Sequence, residues 1–512
     1  MNISARGSQL FPYLVLLLFI VFLALRIVIV SVSGTDIAGI EQNVIYSIQM
    51  LMFKNQLYNS PAVPPFSITQ YTPLYYYLCS CTAKVLGFSA DDIRHLYIIG
   101  RSWNVVFNLS TAVMVFGISR SVLLLSKNKS YLLFLLSFTL SFSHNFAVRP
   151  DSLGDMMGIA AIYSFLLYLS RPSFKLLILA VCFTAISFFS KQSGIQLIII
   201  FGGFCLLNKR WKTLFQLLFL TAFVYGAILT LFISLYPSFF DNVIGGVING
   251  INVQNFIQFI ILKPVFIFSI WPLIVISMVV LFKERLLLNR DAPERLLALS
   301  VLGTFLFATI TALKMGSTIQ YYVLFVNLAL LMIFKGTGEK SPGHAEQPYV
   351  GMDIKKITFG IFLLLIIGLY AAYNVKLIIN QEYNPKLARQ RKAAIQVAGV
   401  IGPDHLKRSG AYLFANLSTD STLPSRQGLN NIFYENCLVP QMDILEYSTK
   451  PSKVIGYRRL EDMLKNGEVA YIIESIPIPK FSIIKNLPAI KAEKFRLIKT
   501  IEGYSIYKRS SN

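Results

Sequence analysis

The chain has 512 residues, of which 55% are hydrophobic and 14% are charged. Its mean hydropathy of +0.59 is higher than a single water-soluble core of this length requires, which excludes an ordinary soluble protein. The formal net charge is +22, but many basic residues lie in short loops between apolar runs, where positive charge favours the cytoplasmic side and contacts anionic lipid. We therefore expect membrane lipids, and no nucleic acid, as partners.

Long apolar segments recur along most of the chain. We count about eleven of roughly 18 to 25 residues, each long enough to cross a hydrocarbon core about 30 Å thick. The first, Phe11 to Val32, lacks a small-residue cleavage site and is followed by further spans, so it is predicted to be retained as an anchor. Residues 1–380 are thus predicted to form a mainly α-helical, polytopic membrane bundle.

Basic residues are concentrated in every second loop, which predicts the orientation of the bundle. The basic segments contain Arg120, Lys127 and Lys129; Arg171 and Lys175; Lys209 to Lys212; Lys283 to Arg295; and Lys335 to Lys356. Loops of this kind stay in the cytoplasm. The alternate loops are then outside: residues 33–96, the Arg149–Asp151 turn, the Lys191–Gln192 turn, and residues 236–256 and 313–322.

Two outer segments are too large to be simple connectors. The first outer loop has roughly 64 residues, a length that usually marks function, and its stretch "YTPLYYYLCSCTAKVLG" is predicted to be a helix lying along the membrane. Residues 381–512 are charged throughout and contain short β-type runs, "GEVAYIIES" and "GYSIYKR". This tail is predicted to be a small extracytoplasmic α/β domain.

Acidic residues are scarce outside the tail, so their positions carry information. Asp36 and Glu41 follow the first span, and Asp151 lies at another outer membrane edge. Asp36 could instead cap a helix, and Asp151 could begin the next span with Arg149 neutralising it. The outer loops also carry cations, for which snorkelling to lipid headgroups is the simpler interpretation: Arg149, Lys191, Lys263 and Lys314.

Carboxylates and cations on one face suit a particular chemistry. A carboxylate can take a proton from a hydroxyl, and lysine or arginine can hold a phosphate, so a lipid phosphate is a suitable substrate. The five cysteines and four histidines show no metal-ligand spacing. A carboxylate pair could hold a divalent ion, but we predict neither a metal nor any other cofactor.

The order of several motifs resembles the polytopic C-type (GT-C) glycosyltransferases, especially the group with bacterial aminoarabinose transferase and the protein O-mannosyltransferases. The motifs are "GTD", "GIEQ", "RPDSLG", "SKQSG" and "KMGSTIQYY". In that group an acidic residue in the first outer loop is followed by a tyrosine near the end of a helix and by a tyrosine and proline. Glu41, Tyr58, Tyr71 and Pro73 fit these places.

The resemblance implies transfer of a sugar from a polyprenyl-phosphate donor to an acceptor hydroxyl at the outer face of the membrane, with inversion. A first-loop carboxylate would be the base, with Glu41 preferred and Asp36 as its rival, and Asp151 would position a substrate. The donor phosphate and sugar would be bound by residues of the outer turns: Arg149, Lys191, Gln192, Lys314, Tyr321 and Tyr71. The acceptor could be a lipid, a glycan or a protein.

A transporter or a lipid or polysaccharide flippase is the alternative, because it would also carry charges in a membrane cavity. The sequence has no internal repeat and no pair of interrupted spans in matching halves, which transporters often have. The long first loop and the outer tail also lack a transport rationale. We therefore predict a multi-pass enzyme, most simply of a bacterial plasma membrane.

Overall fold

The computed structural model describes residues 3–32, 37, 41–140, 145–248, 250–284, 286–287, 292–314, 317–336, 354–417, 428–441, 456–475, 484 and 486–510. Asp36 and residues 337–353 of the last predicted basic loop lie outside these ranges. The structure is mainly helical. Its helices are α1 (Ile3–Ser31), α2 (Glu41–Lys54), α3 (Leu74–Val85), α4 (Ile93–Ser121), α5 (Lys127–Thr139), α6 (Asp151–Ser170), α7 (Phe174–Ser190), α8 (Gln196–Leu207), α9 (Trp211–Leu235), α10 (Phe239–Val243), α11 (Val253–Phe256), α12 (Trp271–Lys283), α13 (Ala292–Ala312), α14 (Val323–Gly336), α15 (Ile354–Tyr383), α16 (Pro385–Ile401), α17 (Pro403–Ser409), α18 (Leu429–Ile432), α19 (Tyr457–Asn466) and α20 (Leu487–Lys494).

Eight helical segments in the described part of the chain are long and apolar enough to cross a membrane. They are Leu10–Ser31, Ile93–Ser121, Asp151–Ser170, Trp211–Leu235, Phe266–Lys283, Ala292–Ala312, Ile319–Gly336 and Phe362–Tyr383. The remaining predicted spans correspond to α5, α7 and α8, which have 13, 17 and 12 residues and are shorter than the roughly 20 residues that a span needs. The chain is a multi-pass integral membrane protein.

Two interruptions of the bundle lie side by side. Pro150 precedes α6 with φ −75°, and Lys191 ends α7 in an extended conformation with φ −150° and ψ 133°. The helices α6 and α7 pack against each other, and a Cβ on Gly154 would lie 3.5 Å from the Cβ of Lys191. The short helical turn Gln192–Ile195 then leads into α8. The two predicted outer turns are therefore neighbours in space.

The first loop folds against the same end of the bundle. Its helices α2 and α3 share an apolar cluster with residues of α4, α7 and α9, including Tyr75, Phe107, Phe189 and Phe232. The stretch predicted to lie along the membrane forms α3, which begins after Pro73. Burial of large aromatic side chains supplies most of the stabilisation of such a loop. It is therefore packed against the bundle rather than a free connector.

The tail contains a five-stranded sheet with the order β2-β1-β3-β5-β4. Its strands are β1 (Tyr412–Asn416), β2 (Cys437–Leu438), β3 (Val469–Ser475), β4 (Phe495–Ile501) and β5 (Tyr504–Arg509). The pairs β1–β2 and β1–β3 are parallel, and β3–β5 and β4–β5 are antiparallel. The two predicted β-type runs are β3 and β5. Apolar clusters cover both faces of the sheet, as a small α/β domain requires.

The tail is docked on the first loop through buried amides. Gln49 Nε2 donates to the carbonyl of Asn431 (3.1 Å), and Asn431 Nδ2 donates back to Gln49 Oε1 (3.0 Å). The amide of Ile68 donates to Gln441 Oε1 (3.1 Å), and the amide of Val439 donates to the carbonyl of Pro65 (2.8 Å). Because buried polar groups are costly when unpaired, these reciprocal bonds fix the tail above the loop.

Candidate active site

A buried cluster of charges lies where α6 begins. Arg149 Nε donates to Asp151 Oδ2 (3.0 Å), and Lys191 Nζ donates to Asp151 Oδ1. The three residues are only 4%, 3% and 6% exposed for Arg149, Asp151 and Lys191. Two cations thus share one carboxylate in a place where an unpaired charge would be very unfavourable. The cluster has a net positive charge and can accept an anion.

The cluster opens into a pocket between α6, the end of α7, α13 and the start of α14. Asp151, Lys191 and Tyr321 line it at the outer edge, and Phe307 and Leu324 line it within the bundle. The other lining residues are Gly154, Asp155, Ser187, Ser193, Gly194, Gln196 and Gln320. A site with polar groups at one end and apolar groups at the other suits an amphiphilic ligand.

Tyr71 connects the first loop to this cluster. Arg149 Nη2 donates to the Tyr71 hydroxyl (3.1 Å), and the Tyr58 hydroxyl donates to the Tyr71 carbonyl (2.8 Å). Burial raises the pKa of Tyr71 to about 12, so its hydroxyl is protonated at neutral pH. The Tyr71 oxygen thus accepts from Arg149 while its proton remains available to another acceptor.

The two cations keep their charge despite burial. Burial alone would lower the pKa of Lys191, but the carboxylate of Asp151 outweighs it and the pKa is raised. For Arg149 the effect of burial is likewise exceeded by Tyr71 and Asp151, which raise its pKa. Lys191 Nζ also lies 4.1 Å from the centroid of the Tyr321 ring, a cation–π distance. When the Gln320 carboxamide is oriented with its oxygen toward Arg149, this oxygen accepts a hydrogen bond from Arg149 Nη2 at 3.1 Å.

Glu41 lies elsewhere, in a fully buried ion pair. Arg101 donates through Nε to Glu41 Oε1 (2.9 Å) and through Nη2 to Oε2 (2.8 Å). The backbone amides of Val148 and Ile37 also donate to this carboxylate, each at 2.7 Å. Both carboxylate oxygens are therefore occupied, and Glu41 is 0% exposed. Its predicted role as the base stays a prediction, and this geometry favours a role in fixing the loop.

The remaining predicted residues have different positions. Gln192 Nε2 donates to the carbonyls of Gln70 (2.6 Å) and Val243 (3.1 Å), and so joins three outer segments beside the cluster. Lys314 is exposed and pairs with Ile251 in an isolated β-bridge. Lys263 is exposed as well. Among the described residues, neither lysine lines the pocket, so their contact with a ligand remains untested.

Asp155 is a pocket residue that the sequence analysis missed. It lies one helical turn after Asp151 on α6 and is partly exposed to the pocket. Asn145 Nδ2 donates to the Oδ2 of Asp155 at 3.4 Å, and Asp155 forms no ion pair in the described part of the chain. The spacing in "DSLGD" is the signal that could have identified it, because residues four apart share one helix face.

Within the described ranges no group of three or more His, Cys, Asp or Glu side chains could hold a metal ion. Asp151 already binds two cationic side chains, and Asp155 forms no ion pair among the residues described. The constellation is better suited to binding an anion through Arg149 and Lys191.

Comparison with solved structures relates this arrangement to known folds. ArnT from Cupriavidus metallidurans bound to undecaprenyl phosphate is similar over 99% of both chains, with 11% identity and a TM-score of 0.59. The apo state of the same protein is similar over 98% of both chains, with 12% identity and a TM-score of 0.60. The archaeal oligosaccharyltransferase AglB from Archaeoglobus fulgidus, solved with an inhibitory peptide and a dolichol-phosphate, is similar over 98% of this chain and 75% of that chain, with 10% identity and a TM-score of 0.54.

These similarities establish the fold. No family model and no curated protein sequence matches the chain. The similarity in three dimensions covers nearly the whole chain, including the tail, and the architecture is the GT-C fold. The resemblance seen in the motifs is therefore confirmed at the level of fold.

Proposed function

We propose that the protein is a glycosyltransferase that moves a sugar from a polyprenyl-phosphate donor to an acceptor hydroxyl at the outer face of the membrane, with inversion. The observation that carries this proposal is the buried pair of cations, Arg149 and Lys191, which share the Asp151 carboxylate beside a pocket that Lys191 and Asp151 line and that has an apolar inner end. A lipid phosphate has the same polarity, with its anion at the membrane edge and its chain in the apolar region. The GT-C fold, shared with an ArnT that was solved with undecaprenyl phosphate, supports it.

Arg149 and Lys191 are proposed to bind the donor phosphate. As the bond between the anomeric carbon and the phosphate oxygen breaks, its electron pair stays on the phosphate. The two cations stabilise the growing negative charge, so no general acid is needed. Tyr71, held by Arg149, has a hydroxyl proton for the phosphate or the sugar. Asp151 keeps both cations aligned when the phosphate is absent.

A first-loop carboxylate is proposed to take the proton of the acceptor hydroxyl as its oxygen attacks the anomeric carbon from the face opposite the phosphate. Because Glu41 is bound to Arg101 and two backbone amides, we assign the base to Asp36. Asp36 precedes Ile37 in the chain, and the amide of Ile37 donates to the Glu41 carboxylate. The same carboxylate accepts from Val148, next to Arg149. Glu41 would thus fix the two segments relative to each other.

The acceptor is proposed to reach the site from outside, under the tail. The tail is bonded to the first loop at Gln49 and Ile68, and the loop continues to Tyr71. With the tail bonded to the loop in this way, we propose that a lipid, glycan or protein acceptor contacts the tail as it approaches Tyr71. The proposal includes an extracytoplasmic tail and a bacterial plasma membrane, and it needs no metal or other cofactor.

Transfer in nanodiscs tests the proposal directly. The purified protein is given polyprenyl-phosphate sugars and an extract of envelope acceptors, and sugar-containing products are identified by mass spectrometry. Arg149→Met and Lys191→Met should each lower transfer at least tenfold, because each removes a charge-assisted bond to phosphate. Lys263→Met is the matched control, since Lys263 is an exposed outer lysine. In sealed proteoliposomes, movement of labelled lipid across the bilayer without any product would support a flippase and contradict the proposal.

A further inference from the structure

The turn that carries Arg149 is irregular backbone at the edge of the bundle. It covers residues 145–150 and ends at Pro150, where α6 begins without a side-chain cap among the described residues. Backbone groups buried in a membrane protein must find hydrogen-bond partners. This turn therefore needs another element to satisfy and fix it.

One face of α4 supplies those partners. Gly100, Asn104 and Asn108 are spaced by four residues, so they form one stripe along the helix. Asn108 Nδ2 donates to the carbonyl of Asn145 (2.8 Å). Asn104 Nδ2 donates to the carbonyl of Arg149 (3.1 Å) and also to that of Ala147.

Gly100 lets the turn approach this face closely. A Cβ at Gly100 would lie 2.5 Å from Val148 Cγ1 and 3.0 Å from Val148 Cγ2. These distances are too short for any side chain, so the Val148 side chain or the turn that carries it must shift if Gly100 is replaced while Val148 remains. The α4 stripe thus packs closely against Val148 and donates hydrogen bonds to backbone carbonyls before and after Val148 in the turn.

We propose that Asn104 is a positioning residue for phosphate binding: through the carbonyls of Ala147 and Arg149 it holds the turn so that the Arg149 guanidinium faces Asp151 and Lys191. This role rests on the proposed phosphate site. Asn104 is fully buried and, among the described residues, does not line the pocket. It acts on the ligand through Arg149 and not by contact.

Two kinds of variant test this role. Asn104→Ala removes both donors, and Asn104→Asp replaces them with oxygen that repels the two carbonyls. Losing buried hydrogen bonds of this kind should weaken binding of undecaprenyl phosphate about tenfold. Asn327→Ala is the matched control, because Asn327 is a buried amide whose described hydrogen bonds go to Ser137 and Val323. Gly100→Ala should weaken binding too, and adding Val148→Ala should restore it in part, because both Val148 carbons are then gone while the Tyr75 hydroxyl remains 3.2 Å from the added Cβ.

Three measurements separate positioning from general stability. They are the melting temperature in detergent, hydrogen exchange of peptides covering 145–151, and lipid affinity in nanodiscs of phosphatidylethanolamine and phosphatidylglycerol. We expect faster exchange in the turn and weaker lipid binding for Asn104 and Gly100 variants, with KM for the donor raised more than kcat is lowered. Asn327→Ala should change only the melting temperature.

The outcomes also distinguish this inference from the proposed function. Unchanged exchange in the turn of Asn104→Ala would overturn the role of Asn104. Unchanged lipid affinity in Asn104→Asp would also overturn it, provided that Arg149→Met loses affinity. If Arg149→Met and Lys191→Met both bind the lipid normally, the phosphate site itself is wrong, and with it the role of Asn104 in phosphate binding.

Discussion

Glu41 and Arg101 form a buried bidentate ion pair that joins the first outer loop to α4, with N–O distances of 2.9 and 2.8 Å. Arg101 Nη1 also donates to the carbonyl of Val32 at the end of α1 (3.1 Å). The pair therefore connects the end of the first span, the start of α2 and the middle of the bundle. A carboxylate held in this way is poorly placed to accept a proton from a substrate.

Asp36→Asn should consequently affect catalysis, whereas Glu41→Gln should affect the stability of the fold. Breaking one partner of a buried ion pair costs about 3–5 kcal/mol, so Glu41→Gln should lower the melting temperature and lose transfer together with the folded protein. Asp36→Asn should lose at least a hundredfold in kcat with little change in melting temperature. Transfer rates are normalised to the folded fraction, measured by size-exclusion chromatography in detergent.

Arg101→Met provides the matched control for this comparison, because it breaks the same ion pair from the other side. If Glu41 only fixes the loop, Glu41→Gln and Arg101→Met should show similar losses of stability. The assignment of the base would be wrong if Asp36→Asn kept full activity while folded Glu41→Gln had none.

Arg149 and Lys191 should not be interchangeable with other cations. Arg149 donates from different nitrogens to Asp151 and to Tyr71, and the planar guanidinium is suited to this fork. Arg149→Lys should therefore weaken undecaprenyl phosphate binding by about tenfold, or about 1.4 kcal/mol, although the charge is kept. Isothermal titration in nanodiscs measures this, and an unchanged affinity would mean that charge alone is required.

The sequence predicted a helical bundle correctly because apolar length is a local property, although eight described segments are long enough to cross a membrane where about eleven were predicted. The orientation predicted from loop charge stays a prediction. Asp151 was predicted to be a site residue because it is an acidic residue at an outer membrane edge. It does lie with Arg149 and Lys191 in one cluster. Their separation in the chain is short, with one helical hairpin between them. The two ends of an antiparallel helical hairpin lie close together, so the order of residues in the sequence was sufficient to predict that Asp151 and Lys191 are neighbours.

The partner of Glu41 could not be predicted in the same way. Arg101 is 60 residues further along the chain and lies within an apolar helix, where nothing in the local pattern indicates which carboxylate it meets. The contacts between the α4 stripe and the turn at residues 145–150 also depend on how distant helices pack, so local sequence does not predict them. Sequence therefore identified which residue types were unusual, while packing decided which of them face the pocket.

Asp155→Asn should strengthen binding of the lipid phosphate. Asp151 is paired with Arg149 and Lys191, whereas Asp155 is a second carboxylate on the same face of α6. A phosphate bound in the pocket would therefore lie next to the carboxylate of Asp155. Removing a like charge near a partly buried site favours the anion, and we expect about a threefold or greater decrease in the Kd for undecaprenyl phosphate. Fluorescence binding in nanodiscs at pH 9, where the Asp155 carboxyl is ionised, measures the change.

Ser187→Ala is the control for Asp155→Asn, because Ser187 lines the same pocket but is neutral and donates to the Gly154 carbonyl. It should leave the Kd within about twofold, since a neutral hydrogen bond contributes less than a charge. A large loss of kcat in Asp155→Asn with unchanged lipid affinity would contradict a purely electrostatic effect and would indicate proton transfer by Asp155.

In the Asp155→Asn variant, binding of the lipid phosphate should be nearly independent of pH between about 7 and 9, because Asp151, which is ion-paired, is then the one carboxylate among the described lining residues and the titration below this range belongs to the ligand. The pKa values of Lys191 and Arg149 are raised in the fold, so both groups prefer the protonated state there. Their favourable charge is fully present below the ordinary lysine value of 10.5 and is lost only as the pH rises through the higher folded value. Tyr71, with its pKa raised to about 12, also stays protonated.

A phosphate monoester loses its second charge below about pH 6, so affinity should fall there in the wild type and in Tyr71→Phe alike. A loss of affinity between pH 7 and 9 in Asp155→Asn would show that one of the cations deprotonates in that range and would contradict the assignment of both to the phosphate, whereas a loss confined to the wild type would belong to the Asp155 carboxyl.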